Sequence, residues 1–229
     1  MSYITIAFEG IDGSGKGVQF ARLKERFESM GLKVGTMDFP KYDSFFGNEI
    51  GIYLAGKGKA TAATVDPKSM VLWYAMDRVM AYRDFPPPED CDVVLLNRST
   101  LANAAYQGTR VSDDERREFL KWIFDLEFSE LRIPRPDLFF LFDIPIETST
   151  NNVAKKGHRD YVGDSADVYE KDLAYLDSVR RSYLACADIM ENIVKINCTD
   201  GTINMRSKDD IHNQVFDIIC EKFPEVCRG

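Results

Sequence analysis

Histidine and cysteine are scarce in this sequence, with two of the first and five of the second among 229 residues. Cys91, Cys186, Cys198, Cys220 and Cys227 form no CxxC pair, and their number is odd. A zinc site is therefore not expected. Ordinary unpaired thiols in a reducing compartment are. No apolar run reaches the roughly 20 residues that a membrane-spanning helix needs. Met1-Ser2-Tyr3 leads straight into an apolar segment, with neither a basic region nor a small-residue cleavage site. These absences point to a cytoplasmic protein. Basic charge is also short, since 29 Lys and Arg face 37 Asp and Glu, for a net charge of −8. Such a surface repels nucleic acid and anionic membranes, so neither is expected as a partner. A local basic pocket for phosphate stays open.

What is present is an ordinary globular composition, 45% hydrophobic and 29% charged. The length suits one compact domain covering residues 1–229. Tyr3 to Phe8 is an apolar run ending in turn residues, as a buried strand does. Phe20, Leu23, Phe27 and Met30 then recur at helical spacing, and Gly31 ends that helix. Lys33–Asp38, Asp92–Leu96, Leu138–Phe142 and Ile193–Ile196 read as further strands. Helices are expected from Asp66-Pro67 towards Tyr82, over Asp113–Phe128, around Leu173–Tyr183, and around Ile211–Ile218. Pro86-Pro87-Pro88 is a rigid connector rather than a boundary. No repeat or low-complexity tract interrupts the pattern. Strands that are apolar throughout and alternate with helices predict an α/β fold, a parallel sheet covered on both faces. The polar, basic stretch from Asn151 to Asp167 suits a mobile loop over a site.

Gly10-Ile11-Asp12-Gly13-Ser14-Gly15-Lys16 has the spacing of a P-loop and sits between a strand and a helix, as the motif requires. Its glycines let backbone N–H groups converge on a phosphate, and the helix dipole adds to the attraction. Lys16 would reach the β- and γ-phosphates. Gly17 departs from the pattern, because Ser or Thr normally stands there to hold magnesium. Water or a carboxylate elsewhere must then complete the ion's coordination.

Further along, Phe8 to Lys16, Phe39-Pro40-Lys41-Tyr42 and Leu72-Trp73-Tyr74-Ala75-Met76-Asp77-Arg78 follow one another in order. Asn97-Arg98, Asn103-Ala104-Ala105-Tyr106-Gln107-Gly108, Pro134 to Leu138, Asp167 to Glu170 and Val179 to Tyr183 continue the series. In this order and at these spacings the sequence resembles the thymidylate kinases, P-loop nucleoside-monophosphate kinases that phosphorylate dTMP with ATP. The resemblance implies a three-layer α/β/α fold with a five-stranded parallel sheet and a short lid at about residues 151–166. It also implies magnesium as cofactor and a homodimer.

The same resemblance assigns roles. Gly10, Ile11, Asp12, Gly13, Ser14, Gly15, Lys16 and Gly17 would bind ATP. Phe39 and Tyr74 would flank the pyrimidine, Arg78 would donate to a base carbonyl, and Asn103 would read the amide edge. Tyr106 would stack below the deoxyribose, with Pro40, Tyr42 and Gln107 completing the substrate site. Arg98 and Lys41 would grip the acceptor phosphate, and Asp12 would orient the substrate and that arginine. Read from the residues alone, Tyr74 and Tyr106 fit core packing nearly as well, and Asp12 fits a turn.

The family's Asp-Arg pair is Asn97-Arg98 here, which removes a carboxylate near the metal. Asp12, with Asp167 and Glu170, would have to serve it instead. Gly13 stands where some relatives carry a loop arginine, so the catalytic cation is expected from the lid. Arg159 is the first choice and Lys156 the second, with Lys155 and His158 beside them. Other readings compete: a kinase for another deoxynucleoside monophosphate or for a deoxynucleoside, a GTP-binding switch, and an inactive relative, which Gly17 and Asn97 keep open. A deoxynucleoside kinase would need no grip on an acceptor phosphate, and a GTP-binding switch would carry an Asn-Lys-x-Asp tetrad, which this sequence lacks.

Overall fold

The structure is a computed structural model, and it describes residues 3–57, 61, 64–84, 86–156 and 173–227, without the side chains of Lys155 and Lys156. Five strands form its sheet: β1 (Ile4–Glu9), β2 (Val34–Asp38), β3 (Val93–Asn97), β4 (Leu138–Asp143) and β5 (Ile193–Asn197). They lie in the order β2-β3-β1-β4-β5, and each neighbouring pair is parallel. β1, β3 and β4 carry almost wholly buried side chains, as their unbroken apolar runs predict. Phe8 of β1 stacks on Phe142 of β4 with ring centroids 5.7 Å apart. Each such ring contributes roughly 1.5–3 kcal/mol by leaving water.

Helices cover the sheet: α1 (Lys16–Ser29), α2 (Phe45–Leu54), α3 (Pro67–Asp84), α4 (Thr100–Gly108), α5 (Asp113–Phe124), α6 (Ile146–Lys156), α7 (Leu173–Ala187), α8 (Lys208–Lys222) and α9 (Pro224–Cys227). Serines start several of them. Ser44 accepts from the Gly47 N–H, Ser99 from Leu101, and Ser207 from Asp210, each satisfying an orphan first-turn donor. α2 escapes a reading by periodicity because glycine weakens its pattern. The glycine has a packing reason: a Cβ at Gly47 would stand 1.9 Å from the Lys41 carbonyl oxygen.

Three expectations need correction. The helix read as Asp113–Phe128 is α-helical only to Phe124 and continues as a π-helical turn, Asp125–Glu130. Residues 151–156, read as the start of a mobile loop, extend helix α6. The thiols are not all free, because Cys220 and Cys227 form a disulfide. The chain turns at Pro224, after α8, and brings their Cα atoms to 5.4 Å, within bridging distance. Cys91, Cys186 and Cys198 are free and buried. No helix among the described residues is long and apolar enough to cross a membrane.

Candidate active site

In this strand order the chain leaves β1 and β3 on adjacent strands, and ligands of parallel sheets bind at the carboxyl ends where the order switches. The Gly-rich loop follows β1 there. Its glycines answer to close neighbours as well as to phosphate. Gly10 has φ 137°, and a Cβ on it would lie 2.6 Å from the Phe142 carbonyl. Gly13 has φ 78°, and its Cβ would meet the Ser149 carbonyl at 2.6 Å. α6 clasps the loop from behind, since Ser149 Oγ donates to the Asp12 carbonyl at 2.6 Å and Asn152 Nδ2 to the Gly13 carbonyl at 2.9 Å. No side chain caps the N-terminus of α1, an arrangement in which an anion takes the cap's place.

Asp12 ties the loop to β3. Its Oδ1 accepts from Lys16 Nζ at 3.3 Å and from Arg98 Nη2 at 2.9 Å. Arg98 follows the last residue of β3 with φ 64°, a left-handed conformation that non-glycine residues seldom adopt away from functional sites. Its guanidinium carbon lies 5.3 Å from the Tyr106 ring centroid. Its Nη1 is buried and has no hydrogen-bond partner.

These groups line one cavity. Asp12 and Arg98 face it from the loop and β3. Phe39, Pro40 and Tyr42 enter after β2, Tyr74 and Arg78 from α3, and Asn103 and Tyr106 from α4. Leu54, Ser99 and Ala102, which the sequence did not single out, complete the wall. Tyr74 and Tyr106 are half-buried; each lines the cavity and also packs against a hydrophobic cluster. A second cleft adjoins it and shares Asp12, Phe39, Pro40, Tyr42 and Arg98, adding Gly13, Gly15, Lys16 and Gly17. The cavity and the cleft beside the Gly-rich loop therefore meet across Asp12 and Arg98.

Not every predicted residue joins them. Gln107 lines neither space; it is buried and accepts from Arg110. Lys41 faces a neighbouring cleft, with Nζ 3.2 Å from Asp43. Arg159, Asp167 and Glu170, with His158, lie outside the described residues, as do the side chains of Lys155 and Lys156.

Sequence reading missed three carboxylates. Asp77 on α3 is fully buried and accepts from the Lys41 backbone N–H and from Ser44 Oγ, both at 2.9 Å. It thus fixes the segment that follows the cis Phe39-Pro40 peptide. Glu127, on the π-helical turn, is also fully buried. Its oxygens accept from Arg78 Nε and Nη2 at 2.6 and 2.5 Å, from Asn103 Nδ2 at 2.8 Å and from Thr100 Oγ1 at 2.7 Å. Asn103 Oδ1 is left buried with no partner. Asp38 ends β2 directly opposite Asn97 in the β2–β3 register and accepts from Asn97 Nδ2 at 2.8 Å. A carboxylate therefore stands beside Asn97 after all, on the neighbouring strand. Only the folded register could reveal it.

Glu9, under the loop, accepts from Ser99 Oγ at 2.5 Å and from Tyr183 at 3.1 Å. Burial pushes its carboxyl above the usual range, opposed by those hydrogen bonds and by Arg98 and Lys16. Among the described residues no group of three or more His, Cys, Asp or Glu forms a metal cage. Asp12 and Asp38 instead face the phosphate cleft with Asn97. That donor set fits a magnesium ion held largely by phosphate oxygens and water, not one enclosed by protein.

Known proteins of one family resemble this chain. The family model described as thymidylate kinase matches residues 8–209. A thymidylate kinase of Mycobacterium tuberculosis is 31% identical over 169 residues, covering 73% of this chain and 78% of its own. A probable thymidylate kinase of Thermococcus kodakarensis is 29% identical over 219 residues, covering 93% and 96%. In fold the chain is similar to a solved thymidylate kinase from Candida albicans, with TM-score 0.70, 20% identity, and 96% and 92% of the two chains covered.

Proposed function

The chain belongs to the thymidylate kinase family and phosphorylates dTMP, and we propose that ATP is the donor and that the residues described above divide the work as follows. The Gly-rich loop and Lys16 hold the donor's β- and γ-phosphates. Arg98 grips the 5′-phosphate of dTMP, with Asp12 setting its orientation. Phe39 and Tyr74 flank the thymine, and Tyr106 lies below the sugar. Arg78 donates to a base carbonyl. Asn103 accepts from the base N–H.

One observation carries this reading. A single cavity is lined by a buried, unpartnered donor on a permanent cation, Arg98 Nη1, and by a buried, unpartnered acceptor, Asn103 Oδ1. Unpaired buried polar atoms are costly, and a thymine nucleotide supplies the complement of each: phosphate oxygens for the first, the ring N–H for the second. Transfer between two phosphates is mostly a matter of positioning and charge neutralisation. Arg98, Lys16 and the loop amides supply both. Magnesium, bound with the donor, would neutralise charge on its phosphates, with Asp12 and Asp38 as the protein carboxylates nearest to hand. The lid residues Arg159 and Lys156 are proposed as the closing cations.

The homodimer implied by resemblance finds support in α3. Its apolar residues surround the helix, and Leu72 is 46% exposed on it. Light scattering of the wild type and of Leu72→Glu tests that interface. The cytoplasmic assignment is supported by the free thiols of Cys91, Cys186 and Cys198 and opposed by the Cys220–Cys227 disulfide, and thiol labelling of the protein in cell extract tests it: a persistent disulfide there would overturn the assignment.

The substrate assignment rests on a coupled assay of ATP turnover with dTMP, dUMP, dCMP and thymidine in turn. Turnover strongest with dTMP is expected. Equal turnover of thymidine would make the chain a nucleoside kinase.

A further inference from the structure

Glu127 neither lines the cavity nor belongs to a predicted site motif, yet four donors converge on its two oxygens. Three of those donors belong to the two proposed base readers, Arg78 and Asn103. We infer that Glu127 is a positioning residue that sets the base specificity of the pocket, an inference that rests on the thymidylate reading given above. Asn103 can present either end of its amide to a ligand, because a half-turn exchanges oxygen and nitrogen. Here its Nδ2 is drawn to Glu127 Oε1 at 2.8 Å and to the Val71 carbonyl at 3.2 Å. Both partners only accept. The amide nitrogen is therefore committed to these acceptors, which leaves Oδ1, buried and without a partner, as the group for a ligand.

The same carboxylate takes Arg78 in a two-point fork through Nε and Nη2, a planar geometry that fixes the guanidinium. Arg78 is 2% exposed and still lines the cavity. The pocket thus offers an acceptor from Asn103 and a donor from Arg78, and thymine answers with a ring N–H and a carbonyl. Cytosine has the reverse pattern there, a ring acceptor and an amino donor, and would leave both readers facing like partners. Discrimination built on buried hydrogen bonds is strong for this reason.

Glutamate is needed because every donor around it requires an acceptor. Glutamine in its place offers one acceptor and one donor. It would break the Arg78 fork and offer an N–H towards Asn103, freeing the amide to turn. The π-helical turn fits this role, since such turns are frequent at functional sites.

The test compares binding of dTMP, dCMP and 2-deoxyribose 5-phosphate to wild type, Glu127→Gln and Thr100→Val. Glu127→Gln is expected to weaken dTMP by about tenfold to a hundredfold, to shrink the preference for dTMP over dCMP by a similar factor, and to leave the sugar phosphate within about twofold. Thr100→Val removes a donor from the same carboxylate without touching either reader, and is expected to keep the preference. An unchanged preference in folded Glu127→Gln, an equal loss on all three ligands, or an equal collapse in Thr100→Val would overturn the assignment. Should Glu127→Gln not fold, Glu127→Asp carries the same comparison, because shortening the side chain withdraws it from one reader. A wild type that does not prefer dTMP to dCMP would instead bring down the thymidylate reading itself.

Discussion

The Asp38 carboxylate and the Asn97 amide face each other at 2.8 Å at the ends of two parallel strands. Asn97 donates, so the pair carries one negative charge where two aspartates would carry two. Asn97→Asp alone should place like charges in register and cost roughly 0.5–1 kcal/mol, an amount limited by solvent screening. The double variant Asp38→Asn/Asn97→Asp moves the carboxylate to β3 and should recover the loss. Thermal unfolding of the three proteins checks this. A double variant no more stable than Asn97→Asp would show that the pair does not interact.

Arg98→Ala should weaken dTMP by about 2–5 kcal/mol, the usual cost of breaking a buried charged contact. Thymidine, which lacks the phosphate, should lose far less. Titration calorimetry with both ligands separates the outcomes. Equal losses would make Arg98 a structural residue that holds the positive-φ corner after β3.

An added Cβ at Gly17 meets nothing within 4 Å, so threonine is accommodated without displacing a neighbour. Gly17→Thr restores the oxygen that P-loops usually aim at magnesium, and should lower the magnesium midpoint on the order of tenfold. Magnesium titration at fixed ATP reads this directly. An unchanged midpoint means that the position does not face the ion.

The buried Glu9 carboxyl is raised by desolvation against the Ser99 hydrogen bond and the Arg98 charge. Folding then tightens its proton. The stability it contributes is complete below its unfolded pKa and is lost as pH rises through the higher folded value. Wild type should therefore lose stability relative to Glu9→Gln over the range above about pH 4, the ordinary carboxyl value. A melting-temperature difference constant across that range would contradict it.

Much of this was legible in the sequence, for definable reasons. Strand runs such as Leu138–Phe142 are apolar because both faces of a parallel sheet are buried, and that needs no partner to be read. The loop from Gly10 to Lys16 is contiguous, so its phosphate chemistry is written in spacing alone. Asn103, Arg78 and Arg98 could be proposed because short motifs of the family hold them. Gln107 sits in the same motif and misses the cavity, because helix α4 gives each residue its own direction.

Tertiary structure decided what depends on residues far apart in the chain. Asp38 and Asn97 are 59 positions apart and meet only through the β2–β3 register. Cys220 and Cys227, only seven positions apart, pair through the local turn at Pro224, which their spacing alone does not announce. Glu127 reaches Arg78 across 49 positions and Asn103 across 24, from a π-helical turn that the α-helical period of the sequence does not announce. A buried carboxylate acts through whatever donors the fold brings within about 3 Å, and one-dimensional spacing carries no such distance.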